Sequence, residues 1–290
     1  MDIYTIVSKF KTERDFENYL ISIRWPNKPH CTRCQSVEVY KRSYEKGFKC
    51  RSCNSSFSVT CGTIFHSSKI PLSKWFYAIS QILAAKKGIS SLQLARSINV
   101  NRNTAWYLQH RIRKAMKEDL ILKGIVEIDE TYVGGSTTNM KQSYKKKRNP
   151  FKSGMVHKSP VLGMISRENK QVKLQVLSHA DGKNIKPIVR ATIESASKIV
   201  TDGFGGYFGL KEDFKTHVVL NHQKRILKKG EFHLSTIEGF FTMVKRAVFG
   251  QYHHISREHL QSYLDEIAFK SNYGNINSFD LLLRLGCARC

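Results

Sequence analysis

Acid is scarce in this sequence beside base. Across 290 residues it carries 23 Asp and Glu against 48 Lys and Arg, a formal net charge of +25. No fold requires that imbalance, and self-repulsion among the cations costs stability. A polyanionic partner accounts for it better than a generally adhesive, ribosomal-type surface. Long apolar runs are absent too. Nothing approaches the roughly 18 residues of a membrane helix, so no membrane partner is expected. The opening MDIYTIVSKFKTERDF is charged throughout and lacks the apolar core of a secretory signal, which predicts a cytoplasmic chain. No internal repeat is present. The seven cysteines are an odd number and do not make a complete disulfide framework.

What is present falls into successive textures. Residues 1–27 read as helical, with Phe16, Leu20 and Ile23 at helical spacing, and 28–66 are Cys-rich. Residues 70–120 are helical again: Trp75, Ala78, Ile79 and Ile82 share one face, and two short helices follow. From Gly124 to residue 275 strands and helices alternate in the order βββαβ(α)βα, which predicts an α/β domain. Residues 276–290 are left as a C-terminal tail.

The Cys-rich part carries CTRC and CRSC, that is Cys31, Cys34, Cys50 and Cys53, as two CxxC pairs. Each pair can turn two thiolates to one point. Two pairs complete the tetrahedral shell of a structural Zn²⁺, with no position left open for catalysis. A redox dithiol is the plainer reading, but redox motifs rarely come as matched pairs. Cys61 reads as a buried thiol, and Cys287 and Cys290 as free thiols.

ISSLQLARSINVNRNTAWYLQHRIRKAM has the proportions of a helix-turn-helix. Leu92, Ala95 and Ile98 form the inner face of its first helix. Ala105, Leu108, Ile112 and Met116 do so for the second, and Asn101 or Asn103 caps it. The outer face offers Arg102, Asn103, Thr104, Tyr107, His110 and Arg111, side chains suited to phosphates and base edges. An ordinary helical hairpin with a solvated basic face is the alternative. A polar, basic loop adds Lys145, Lys146, Lys147 and Arg148, either for DNA backbone or simply for solvent.

Three carboxylates stand out in the α/β part. Asp129 lies mid-strand in VEIDETY, on the face shared by Ile125, Glu127 and Thr131. Asp202 ends the apolar strand KIVTD. Glu238 lies on the helix HLSTIEGFFTMVKR beside a stripe of Ile237, Phe240, Phe241, Val244 and Val248, with Lys245 two turns further on the same side. Carboxylates on three separate elements suit a pair of Mg²⁺ ions (or Mn²⁺), which activate an attacking oxygen and stabilise the leaving one at a phosphodiester. Each acid taken singly is equally a surface charge.

The spacing is more specific than the composition. Thirty-five residues separate Asp202 from Glu238, and Lys245 stands seven after Glu238. That pattern resembles the DDE transposases and retroviral integrases. VEIDETYVGG, VTDGFGGY, TIEGFFTMVKR and GQYHHISREHLQSYLDEIAFKSN resemble bacterial insertion-sequence transposases that join a zinc ribbon to an RNase H-like core, relatives of Merlin elements. The likeness covers about Phe16 to Asn272. It departs at Ser235, where many relatives carry Asn, and it includes His253 and His254.

The resemblance implies an RNase H-like fold and Asp129, Asp202 and Glu238 as Mg²⁺ ligands, with Lys245 on a DNA phosphate. It further implies binding to terminal inverted repeats, hydrolysis that frees a 3′-hydroxyl, and transfer of that hydroxyl to target DNA. The expected partners are double-stranded DNA, as element ends and target, and further copies of the chain in a dimer or higher oligomer on the nucleoid. The alternatives are a non-enzymatic regulator derived from a transposase and an RNase H-like nuclease without strand transfer.

Overall fold

The computed structural model describes residues 1–42, 47–134, 158–220, 228–274 and 277–288. It divides into two units, Met1–Lys117 with Tyr273–Cys290, and Glu118–Asn272. No helix among the described residues is long and apolar enough to cross a membrane.

In the first unit, α1 (Ile3–Lys9) and α2 (Glu13–Arg24) precede a three-stranded antiparallel sheet of β1 (Val39–Lys41), β2 (Phe48–Cys50) and β3 (Ser56–Phe57). Asp15 closes a capping box with Thr12, satisfying amides that would otherwise be orphaned at the start of α2. Trp25 packs edge-on against Phe48 and Phe57 and gives this small sheet an apolar floor.

Three helices follow, α3 (Leu72–Ala84), α4 (Ser91–Ile98) and α5 (Arg102–Met116). Asn99 ends α4 in the left-handed conformation at φ 50°, which Asn tolerates better than most residues, and the Asn101 side chain caps α5 through the Thr104 amide at 2.7 Å. The two expected short helices are thus present around a short turn, with Asn101 rather than Asn103 as the cap. One inner-face assignment is corrected. Leu92 is 47 % exposed and Leu94 is buried in its place, because the buried stripe of α4 runs Leu94, Ala95, Ile98.

The second unit is built on a five-stranded sheet. Its strands are β4 (Ile125–Val133), β5 (Ser159–Ser166), β6 (Val172–Val176), β7 (Lys198–Thr201) and β8 (Thr216–Val219), in the spatial order β6-β5-β4-β7-β8. The first three strands pair antiparallel; β7 and β8 join in parallel. Helix α6 (Gly182–Thr192) covers one face, where Ile185 and Val189 pack with Val126, Ile128 and Ile199. On the opposite face lie α7 (Ser235–Ala247) and α8 (Arg257–Tyr273), where Ile237, Phe241 and Leu264 pack with Val133, Val161 and Val200. This is the expected RNase H-like α/β core, and β4 is its central strand.

Residues 278–288 of the expected tail instead form α9 (Ser278–Ala288), which belongs to the first unit. Phe279 is fully buried against Phe76, and Tyr19 donates to Asp280 at 2.6 Å.

Candidate active site and metal centre

The four cysteines of the ribbon converge. Cys31 and Cys53 approach to 3.6 Å, as do Cys34 and Cys50, and all four sulfurs lie within 4.8 Å of one another. A tetrahedron with Zn–S bonds of about 2.3 Å has edges of about 3.8 Å, so the thiols fit zinc. The two halves are built alike. Gln35 and Asn54, each following the second Cys of its pair, adopt positive φ of 62° and 58°, which turns each knuckle back on itself. The backbone N–H of Cys34 outweighs burial and holds the Cys31 thiol down to about 6, whereas at Cys34 the Ser36 amide is outweighed by the neighbouring thiols and burial, which push that thiol up to about 12. Cys61 and Cys287 are free thiols outside this group; Cys290 lies outside the described residues.

On α5 the six outer residues divide. Arg102, Asn103 and Tyr107 are exposed, Tyr107 by 65 %. Thr104 is half-buried and its amide is taken by the cap. His110 packs on the Trp106 ring at 4.1 Å. Arg111 turns to its own unit, donating to the His66 carbonyl at 2.7 Å and lying over Trp75. Lys145, Lys146, Lys147 and Arg148 lie outside the described residues.

In the second unit the register of β4 on β7 aligns Glu127 with Val200. The ladder ends at that pair: Asp129 lies two residues further along β4, and Asp202 is the first residue past the end of β7. Asp129 faces α7, since Val133, of the same parity on β4, belongs to that core. Asp202 also accepts from the Phe204 amide at 2.9 Å, which holds the turn after β7.

The charge of this pair reaches a third acid. Glu130, next along β4 on the opposite face, accepts a short hydrogen bond from Tyr207. Burial, and after it the nearby Asp202 and Asp129, pushes the Glu130 carboxyl up to about 7, against the stabilising Tyr207 bond. Burial also raises the Tyr207 hydroxyl, with Glu130 the next cause. The charges of Asp129 and Asp202 are thus felt by Glu130 on the other face of β4.

Helix α7 is fastened beside that strand by Glu127, a residue sequence reasoning placed on the Asp129 face but gave no role. Its side chain is wholly buried. One carboxylate oxygen accepts the Thr236 and Ile237 amides, both at 3.0 Å; the other takes the Thr236 hydroxyl at 2.8 Å and Arg167 Nε at 2.6 Å. A carboxylate therefore caps the positive end of α7. Arg167 in turn donates to the Glu231 and His233 carbonyls and fixes the lead-in to the helix.

Gly163 pairs with Asp129 across β4 and β5. A Cβ there would sit 2.6 Å from the Phe241 ring and 2.8 Å from Ile237, so only glycine lets α7 lie this close to the strand.

Glu238 follows the two anchored amides directly and is exposed, as is Lys245. Its carboxylate does not close a ligand cluster with the two Asp. Among the described residues, only the four cysteines bring three or more ligand atoms within 4.8 Å. Ser235 bonds His233 Nδ1 at 2.8 Å. The only prior signal for Glu127 was a second acid two places before Asp129 on a half-apolar strand.

Comparison with known proteins gives three findings. Residues 121–272, just over half the chain, match the family described as "ISXO2-like transposase domain", and residues 11–56 match "Transposase zinc-ribbon domain". An "uncharacterized protein in transposable element ISH50" of Halobacterium salinarum is 26 % identical over 268 residues, covering 89 % of this chain and 90 % of that protein. A solved pre-cleavage Mos1 transpososome aligns over 98 % of this chain and 95 % of its own at 12 % identity, but with a TM-score of 0.26 it carries no argument about fold.

Proposed function

The chain belongs to the family of the ISXO2-like transposase domain, and on that premise we propose that it is an active transposase. In this reading it binds the terminal repeats of its own element, cuts them with Mg²⁺ or Mn²⁺, and joins the freed 3′-hydroxyl to target DNA. The observation that carries the reading is that β4, the strand bearing Asp129, caps α7, the helix bearing Glu238, and pairs in parallel with β7, which Asp202 directly follows.

Asp129, Asp202 and Glu238 would hold the divalent cations. When bound, these supply charge neutralisation at the scissile phosphate and acidify an attacking hydroxyl. The chain's own part is to fix the carboxylates. Asp129 is held within β4, and Asp202 by the turn it makes with the Phe204 amide after β7. Glu238 rides on a helix whose first turn is capped by Glu127 and whose approach is permitted by Gly163. Lys245, two turns along α7, would meet a backbone phosphate beside the site. The exposed Arg102, Asn103 and Tyr107 of α5 would read the element end, phosphates setting register and bases setting specificity. Assembly of two or more copies on paired ends is part of the same proposal.

The test incubates purified full-length protein with Mg²⁺ and duplexes carrying the DNA that borders its element. The expected result is nicking and joining products that are absent with Asp129→Ala and Asp202→Ala. Tight end binding with no cleavage in either Mg²⁺ or Mn²⁺ sinks the enzymatic reading in favour of a regulator.

A further inference from the structure

A cavity of about 330 Å³ lies in the second unit. Its walls come from the end of β4 (Val133, Gly134), the start of β5 (Lys158, Ser159), the segment after α7 (Val248, Phe249) and the opening of α8 (His253 to Arg257, Leu260). Val133 is four residues beyond Asp129 on the same face of β4. The cavity therefore begins about 13 Å along the strand from that carboxylate, at roughly 3.3 Å per residue.

The chemistry of its lining is one-sided. Lys158, His253, His254 and Arg257 border it, and among the described residues no Asp or Glu does. The amino terminus of α8, a helix of 17 residues, opens at the same place and adds the positive end of its dipole. The size is at the low end for ligand sites, and the lining suits an anion rather than an apolar ligand.

The backbone is specialised here. Val248–Tyr252 form a π-helical turn that continues directly from α7. His253 follows at φ 58° and ψ −46°, a conformation that strains any residue with a side chain. Its Nδ1 lies 3.1 Å from the Phe249 carbonyl. A carbonyl only accepts, so Nδ1 carries the hydrogen and the His253 ring is held by its own backbone. Arg257 is held by the Leu177 and Ser178 carbonyls at 3.3 and 3.0 Å, which fixes its guanidinium at the mouth of α8.

We propose that this cavity is a subsite for a backbone phosphate of DNA, a few nucleotides along the strand whose scissile bond lies at Asp129 and Asp202. The proposal rests on the reading of the chain as a DNA-processing enzyme and adds a place where the strand is gripped outside the helix-turn-helix. Lys158 and Arg257 supply fixed charge, His254 supplies a directed donor, and the α8 amides face the phosphate oxygens. The π-helical turn ties this grip to α7, so that seating the phosphate and aiming Glu238 are coupled through one continuous segment.

The test measures Kd of the full chain for a generic duplex of about 30 base pairs without divalent metal, by fluorescence anisotropy between about 50 and 200 mM salt. Each phosphate contact contributes about 0.9 to the slope of log K against log salt. Lys158→Ala lowers the slope by about that amount, whereas Lys211→Ala, the same charge removed from an exposed turn elsewhere in the unit, leaves it unchanged. His254→Glu, which places an acid against the phosphate, weakens binding about tenfold.

An unchanged slope in Lys158→Ala, or an equal fall in Lys211→Ala, overturns the subsite. The cleavage assay is independent of this one. Normal cleavage with an unchanged slope removes the subsite alone. A slope that falls as expected, in a protein that never cleaves, removes the enzymatic reading and leaves the subsite standing.

Discussion

Replacing Glu127 is the sharpest perturbation of the α/β unit that the structure offers. Its carboxylate is fully buried and satisfies two helix amides, one hydroxyl and Arg167, whose side chain is itself only 16 % exposed. Glu127→Ala leaves the guanidinium and both amides without that partner. Removing one member of a buried ion pair costs about 3–5 kcal/mol, a large part of the roughly 5–15 kcal/mol that holds a domain folded.

Glu127→Gln keeps the shape but cannot rescue the site. One end of the carboxylate faces two N–H donors and the other faces Arg167 Nε, so either orientation of the amide sets an NH₂ against a donor. A loss of about 2–3 kcal/mol is expected for Gln. Because the chain has two units, a single unfolding midpoint is a poor measure, and hydrogen exchange of the α7 amides is the direct one. At about 1.4 kcal/mol per factor of ten, Gln should accelerate exchange there by a factor on the order of 50 and Ala by more. Exchange in Glu127→Gln within a factor of about two of the parent would refute the claim that this carboxylate holds the helix.

Other outcomes follow from neighbouring features. Gly163→Ala places a methyl group 2.6 Å from the Phe241 ring, so α7 must move off the sheet. A loss of about 1–3 kcal/mol is expected, with faster exchange in α7 and weaker cleavage than any change in DNA affinity explains. Cys31→Ser breaks the four-thiol group, and metal analysis should fall from one zinc per chain towards none, with the ribbon amides losing protection; full zinc content in the variant would contradict the shared site.

What could be read from the residues divides along physical lines. Local patterns were legible. Two CxxC pairs, an Asn cap after a short turn, and alternating strands with helices all depend on neighbours close in sequence, and the cysteines converge as their spacing implied. The spacing of Asp202, Glu238 and Lys245 was legible as a resemblance. Contacts made at long range were not.

Glu127 finds its partners 40 and about 110 residues away, so nothing beside it in sequence marks it as a helix anchor. Arg111 reads as an outward cation by periodicity, yet the His66 carbonyl 45 residues earlier takes its guanidinium. The segment after residue 276 is apolar, with Phe279, Leu281, Leu282, Leu283 and Leu285, but it is short and far in sequence from the helices it packs on, so it reads as a tail. Phe279, Leu282 and Leu283 are nevertheless fully buried, because the first unit supplies the other half of their packing.

The central claim is that Asp129, Asp202 and Glu238 converge on divalent cation. It is tested most directly by titrating Mn²⁺ into the full chain bound to DNA and following the free ion by electron paramagnetic resonance. The account predicts tight Mn²⁺ binding that is lost in Asp129→Ala and Asp202→Ala and weakened in Glu238→Ala, with the zinc content unchanged in all three. Mn²⁺ bound equally by the parent and by all three variants would contradict it.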